Sequence, residues 1–127
     1  MDQGATTDDS AEPRTLIVRD TIDLAVLTSL AERIFGDLVK AVVDIQRNVM
    51  AVGGAMHGDE EADLIGDGSV QSDLWGINLY PGAHGTTEFI EFDSMINLRP
   101  RQNRTRSVDD PATRAAILAI VDGLVRR

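Results

Sequence analysis

Cysteine is absent from these 127 residues, which excludes zinc ribbons, thiol redox motifs, cysteine nucleophiles and disulfide scaffolds. Aromatic residues make up only 4%, too few for the stacking platforms that grip single-stranded nucleic acid. No apolar run approaches the roughly 20 residues that cross a bilayer. The stretch Met1 to Pro13 lacks the basic and apolar regions of a signal peptide, so the chain reads as a soluble cytoplasmic protein with no membrane partner. Cations are scarce as well: 12 Lys+Arg against 21 Asp+Glu give a formal net charge of −9. A body this acidic repels nucleic acid and anionic lipid at long range, which argues against duplex binding. There is no phosphate-binding Gly-Lys-Ser/Thr loop, no dinucleotide-binding glycine fingerprint and no nucleophile-elbow serine.

What is present amounts to one domain, long enough to bury a core without metals or disulfides. Residues 1–13 are small, polar and acidic, the composition of a disordered tail. Residues 14–127 remain as a single domain. Thr15 to Val18 is a short strand. Asp20 or Thr21 offers an N-cap to a helix with Val26, Leu27, Leu30, Ala31 and Ile34 at helical spacing, closed by Gly36. Leu38 to Ile45 and Val49 to Val52 form a hairpin ended by Gly53-Gly54. Asp59 to Ile65 is a short helix whose acidic first turn suits the positive end of the helix dipole. Leu74 to Tyr80 is a further strand, stopped by Pro81-Gly82, with a Gly76 that signals a bulge or a close backbone approach.

Residues 88–99 alternate, with Ile90, Phe92, Ser94, Ile96 and Leu98 on one side. Glu91, Asp93, Met95, Asn97 and Arg99 take the other, so the spacing predicts a long half-buried strand with a polar face. Asp109-Asp110-Pro111 opens a last helix, with an aspartate cap and proline at the first position. Its apolar stripe is Ile117, Ile120, Val121 and Leu124. The order β-α-β-β-α-β-β-α predicts an α+β domain, a largely antiparallel five-stranded sheet with helices packed on one face. The other face, carrying Glu91, Asp93, Asn97, Lys40 and Asp44, is expected to be partly open. An uncovered edge or apolar face would make a twofold homo-oligomer the default association.

Several stretches resemble a family of short prokaryotic proteins known only as a domain of unknown function. They are Phe35 to Asp44, Gly53-Gly54, His57 to Ala62, Leu74 to Pro81, and Phe89 to Pro100 with Arg104 and Arg106. The resemblance spans residues 15–126 and leaves the N-terminal tail as an extension. It implies no activity.

Four constellations have the residue types for chemistry. His57-x-Asp59-Glu60-Glu61 joins an imidazole to carboxylates, a ligand set for Mn²⁺, Fe²⁺ or Zn²⁺. Its plainer reading is an acidic helix start with a solvated histidine. Glu91-x-Asp93 puts two carboxylates on one strand face, able to hold a hard cation such as Mg²⁺ or simply paired to Lys40 or Arg99 across strands. Arg99, Arg101, Asn103, Arg104 and Arg106 concentrate four of the twelve cations in one loop. Arginine forks match carboxylate and phosphate, although the chain's own acids compete for them. Asn78, in Trp75-Gly76-Ile77-Asn78-Leu79-Tyr80, is placed to orient a ligand or to finish the sheet edge.

Two readings of function follow. The first is a binding or interaction domain without a cofactor. Its surface is the polar sheet face and the arginine loop (Arg99, Arg101, Asn103, Arg104, Arg106, Lys40 and Asn78), and it takes a small anionic ligand or an acidic protein partner. The alternative is a small metal-dependent hydrolase of phosphate esters, with His57, Asp59, Glu91 and Asp93 around Mn or Mg.

Overall fold

A computed structural model describes residues 15–127; the expected disordered tail of residues 1–13 lies outside the described residues. The strands are β1 (Leu16–Val18), β2 (Ile22–Asp23), β3 (Val39–Asp44), β4 (Val49–Val52), β5 (Leu74–Leu79), β6 (Ile90–Glu91) and β7 (Val125–Arg126). The helices are α1 (Leu24–Ile34), α2 (His57–Gly66) and α3 (Pro111–Leu124). The main sheet has the order β1-β4-β3-β5-β6 and is antiparallel throughout. The domain is therefore α+β with a five-stranded antiparallel sheet, in the expected element order, with β2 and β7 added as a two-residue parallel pair. No helix among the described residues is long and apolar enough to cross a membrane.

Alternation along the strands builds two cores. Val39, Ala41 and Val43 of β3 join Met50, Val52, Trp75, Ile77 and Leu79 against Leu27 and Ala31 of α1 and Ile117, Val121 and Leu124 of α3. The intervening residues face the other way, where Val42, Val49, Ala51 and Leu74 pack on Leu64 of α2. The expected single helical face thus holds two of the three helices, and α2 lies across the other. That second face is covered rather than open because α2 has its own apolar anchor in Leu64, which is fully buried.

Local chemistry explains most boundaries. Asp110 accepts from the Thr113 N–H at 3.0 Å and caps α3 ahead of Pro111. Asp44 ends β3 by accepting from the Gln46 and Arg47 N–H groups, both at 2.9 Å, so its carboxylate shapes the β3–β4 turn. It is buried, and Ser69 Oγ donates to its second oxygen at 2.6 Å. The start of α1 differs from expectation: its N-cap is Asp23, not Asp20 or Thr21, because Ile22 and Asp23 pair with β7.

The largest correction concerns residues 88–99. Only Ile90 and Glu91 pair with β5. The chain then leaves the sheet and makes a single 3-10 turn at Met95–Asn97. Asn97 explains the departure. Its Oδ1 accepts from Gly76 N–H at 2.8 Å and its Nδ2 donates to Gly76 O at 2.9 Å, so one side-chain amide satisfies the backbone groups a strand would have paired. Ser94 packs close against β5 here. A Cβ on Gly76 would lie 2.5 Å from Ser94 Oγ, so the glycine marks a close approach. There is no bulge, since β3–β5 pairing runs unbroken through Val42 and Gly76.

Candidate functional site

The α2 side of the sheet ends in a polar row. Lys40 of β3 stands beside Asn78 of β5, and Asn78 stands beside Glu91 of β6. Neighbouring strands lie about 4.8 Å apart, so the three side chains are immediate neighbours. Asn78 Nδ2 donates to Glu91 Oε1 at 2.9 Å and to Asp93 O at 3.3 Å. Tyr80 OH donates to the same Glu91 oxygen at 3.0 Å. Burial and the Glu91 carboxylate both push the Tyr80 phenol upward. With Nδ2 facing two acceptors, Oδ1 is the remaining polar atom of the Asn78 amide. It is buried and has no partner among the described residues. Lys40, the only lysine in the chain, is half-buried with its ammonium 5.1 Å from the Phe35 ring centroid. Asp93 accepts from Arg106 Nε at 2.6 Å, and both side chains remain about half exposed.

The N-terminus of α2 overhangs this row with two buried titratable groups. His57 and Glu60 are one helical turn apart and share a face. His57 Nε2 lies 2.8 Å from Ile77 O; a carbonyl only accepts, so Nε2 carries the proton. Burial pulls the His57 pKa below the ordinary imidazole value, leaving the ring neutral. Glu60 Oε2 accepts from Gly54 N–H at 2.9 Å, while Oε1 is buried without a partner among the described residues. Burial raises its pKa well above the ordinary carboxyl range. A Cβ on Gly54 would come 2.9 Å from Glu60 Cγ, so the glycine makes room for the carboxyl. The Lys40 charge acts on both groups, lowering each pKa against its burial-free setting, and Asp93 and Arg106 also act on His57. These residues form one electrostatic unit.

The predicted metal residues are placed unequally. His57, Glu91 and Asp93 all border the polar row, but each is engaged: His57 with Ile77, Glu91 with Asn78 and Tyr80, Asp93 with Arg106. Asp59 lies on the exposed side of α2. Among the described residues no three carboxylate or imidazole groups converge as a metal site. Glu60 belongs to the His57 motif but not to the expected metal set, and it is the carboxyl of that motif that is fully buried. Its signal was its spacing, one turn from His57 and therefore on the buried face.

The arginine loop divides. Arg99 holds its guanidinium over the Trp75 ring, 3.9 Å from the centroid, and donates to the carbonyls of Ser72 at 3.1 Å and of Leu74. Burial lowers its pKa. Asn103 is buried. Its Nδ2 donates to the carbonyls of Asn97, Thr105 and Ser107, and its Oδ1 accepts from Asp109 N–H at 2.7 Å. It organises the loop, with both polar atoms of its amide engaged inside the protein. Arg106 reaches the polar row through Asp93. Arg101 and Arg104 are exposed, and their side chains make no ion pair among the described residues.

Comparison with known proteins returns one family. The model for a protein of unknown function (DUF5674) matches residues 16–124. No curated protein and no solved structure matches the chain.

Proposed function

This chain belongs to that family of unknown function, and we propose that it is a binding module whose working surface is the polar row with the Asp93–Arg106 pair beside it. The reading is carried by one observation, the half-exposed Asp93–Arg106 pair at the end of the Lys40–Asn78–Glu91 row. An acidic segment of a protein partner supplies a carboxylate that Lys40 and Arg106 can share. The Asp93–Arg106 pair is half exposed, and such pairs are worth about 0–1 kcal/mol, so exchanging Asp93 for a ligand carboxylate is cheap. Arg101 and Arg104 belong to the same loop as Arg106 and are exposed without an ion pair among the described residues.

The test is fluorescence anisotropy with a labelled hexaglutamate peptide, against inorganic phosphate as a competitor. The Arg104→Glu, Arg106→Glu double variant is expected to weaken peptide binding at least about tenfold, roughly 1.4 kcal/mol, with an unchanged melt. Equal binding by the double variant overturns the reading.

A further inference from the structure

On the other side of the sheet, away from the polar row, a cavity of about 720 Å³ opens between α3 and the segment 84–92. Its size falls in the range that takes small organic ligands. Residues Arg114, Leu118, Val121 and Asp122 follow one another along a single flank of α3, at helical spacing. Phe89 and Val121, both buried, make the floor. Leu118 is 45% exposed, a large apolar side chain at the cavity wall with nothing over it.

The two ends carry opposite charges. Arg114 is held rigidly: its guanidinium lies 4.2 Å from the Phe92 ring centroid, and Nη1 donates to Ser107 Oγ at 3.0 Å and Val108 O at 3.2 Å. Its Nε and Nη2 make no hydrogen bond among the described residues, so a fixed fork of donors is left over. The nearby acid that feels Arg114 is Asp109, and its carboxylate is already bonded to Arg104 N–H and Thr105. Asp122 stands at the far end, about 12 Å along the helix from Arg114 by the helical rise.

We infer that this cavity binds an apolar monocarboxylate of the medium-chain fatty acid class. The carboxylate sits on Arg114 and the chain lies over Phe92 and Leu118 toward Asp122. A neutral apolar ligand would bury the unused Arg114 donors without a partner, which is costly for a charged group. A second carboxylate at the far end would meet Asp122. Charge at the two ends therefore selects one anionic group and one orientation.

The experiment is a ¹H–¹⁵N titration of the full chain with decanoate below its micelle concentration, repeated with decanol and with decanedioate. Decanoate is expected to shift residues 84–92 and 114–122, and the other two probes to bind at least about tenfold more weakly. Arg114→Gln should weaken decanoate by a similar factor. Arg114 also braces Ser107 and Val108, so Leu118→Glu serves as the second variant. It changes an exposed position, puts a like charge in the path of the chain, and should abolish binding without lowering the melt. No shifts, shifts confined to other residues, decanol binding as tightly as decanoate, or full binding by Leu118→Glu each overturn the proposal.

Discussion

The α1/α3 side of the sheet and the α2 side are made from alternate residues of the same strands, yet they reach burial by different routes. On the first, Val39, Ala41 and Val43 join an apolar cluster with two helices, in which Trp75 Nε1 is buried without a partner among the described residues. On the second, Val42 and Ala51 begin an apolar core that Lys40, Asp44 and Asn78 interrupt at its ends. Asp44 is resolved by a turn and a serine, and the backbone of Gly76 by Asn97. Asn78 and Glu60 are not fully resolved, since each keeps one buried atom without a partner. Polar residues on a sheet face thus do not mark an open face. The informative ones are those whose hydrogen bonding stays incomplete after the rest have been satisfied.

The sharpest way to break this contrast is Asn97→Leu. It leaves Gly76 N–H and Gly76 O without partners, while Arg106 O loses Asn97 but keeps the Ser94 N–H. At about 1–3 kcal/mol for each orphaned group, the loss should reach about 4 kcal/mol in urea unfolding. A loss near 1 kcal/mol would mean that the polar face is no more demanding than an ordinary surface. Leu27→Ala probes the dry side, where a fully buried leucine is replaced. The expected loss is about 3 kcal/mol from transfer and cavity terms. Gly76→Ala forces a Cβ to within 2.5 Å of Ser94 Oγ, with an expected loss of about 2 kcal/mol. Adding Ser94→Gly should recover part of it, which identifies the clash as the cause.

The smallest effect is a pH effect. The pKa of Glu60 is raised by burial, so the stability it contributes is present below the unfolded glutamate pKa of about 4.3 and is lost as pH rises through the folded value. Glu60→Gln is therefore expected to be more stable than the parent at pH 8 and to lose that advantage at pH 4. His57 has the opposite slope, because its pKa is lowered by burial. Its contribution is present above about 6.5 and lost as pH falls. Reading variant against parent at each pH removes the His57 term to first order. A Glu60→Gln variant with no pH-dependent difference would show that the carboxyl is ionised and solvated in the folded protein.

Hydrophobic period and the Asp110 cap of α3 were legible from residue order alone, whereas the cap expected for α1 at Asp20 or Thr21 lies at Asp23. The hairpin at Gln46 to Asn48, the Asp110-Pro111 start of α3 and the β5 strand all have short-range causes. The polar site was legible in part. Lys40, Asn78, Glu91 and Asp93 came from strand alternation, but Asp59 was singled out where Glu60 is the buried neighbour of His57. Alternation also overextended β6, since Ile90 to Leu98 has strand period while Asn97 competes for the same β5 backbone groups. Three of the loop's polar residues, Arg99, Asn103 and Arg106, turned out to have partners within the protein.

The sequence by itself determined the α+β class, the rough order of the elements and the apolar stripes of α1 and α3, because those follow from local propensity and from period two or 3.6. Only the tertiary structure decided which face α2 covers, where β6 stops, and which polar atoms remain without partners. Those outcomes depend on contacts between residues far apart in the chain, such as Asn97 with Gly76 and Glu60 with Gly54. Residue order carries no distance between such groups until the sheet has assembled and brought them together.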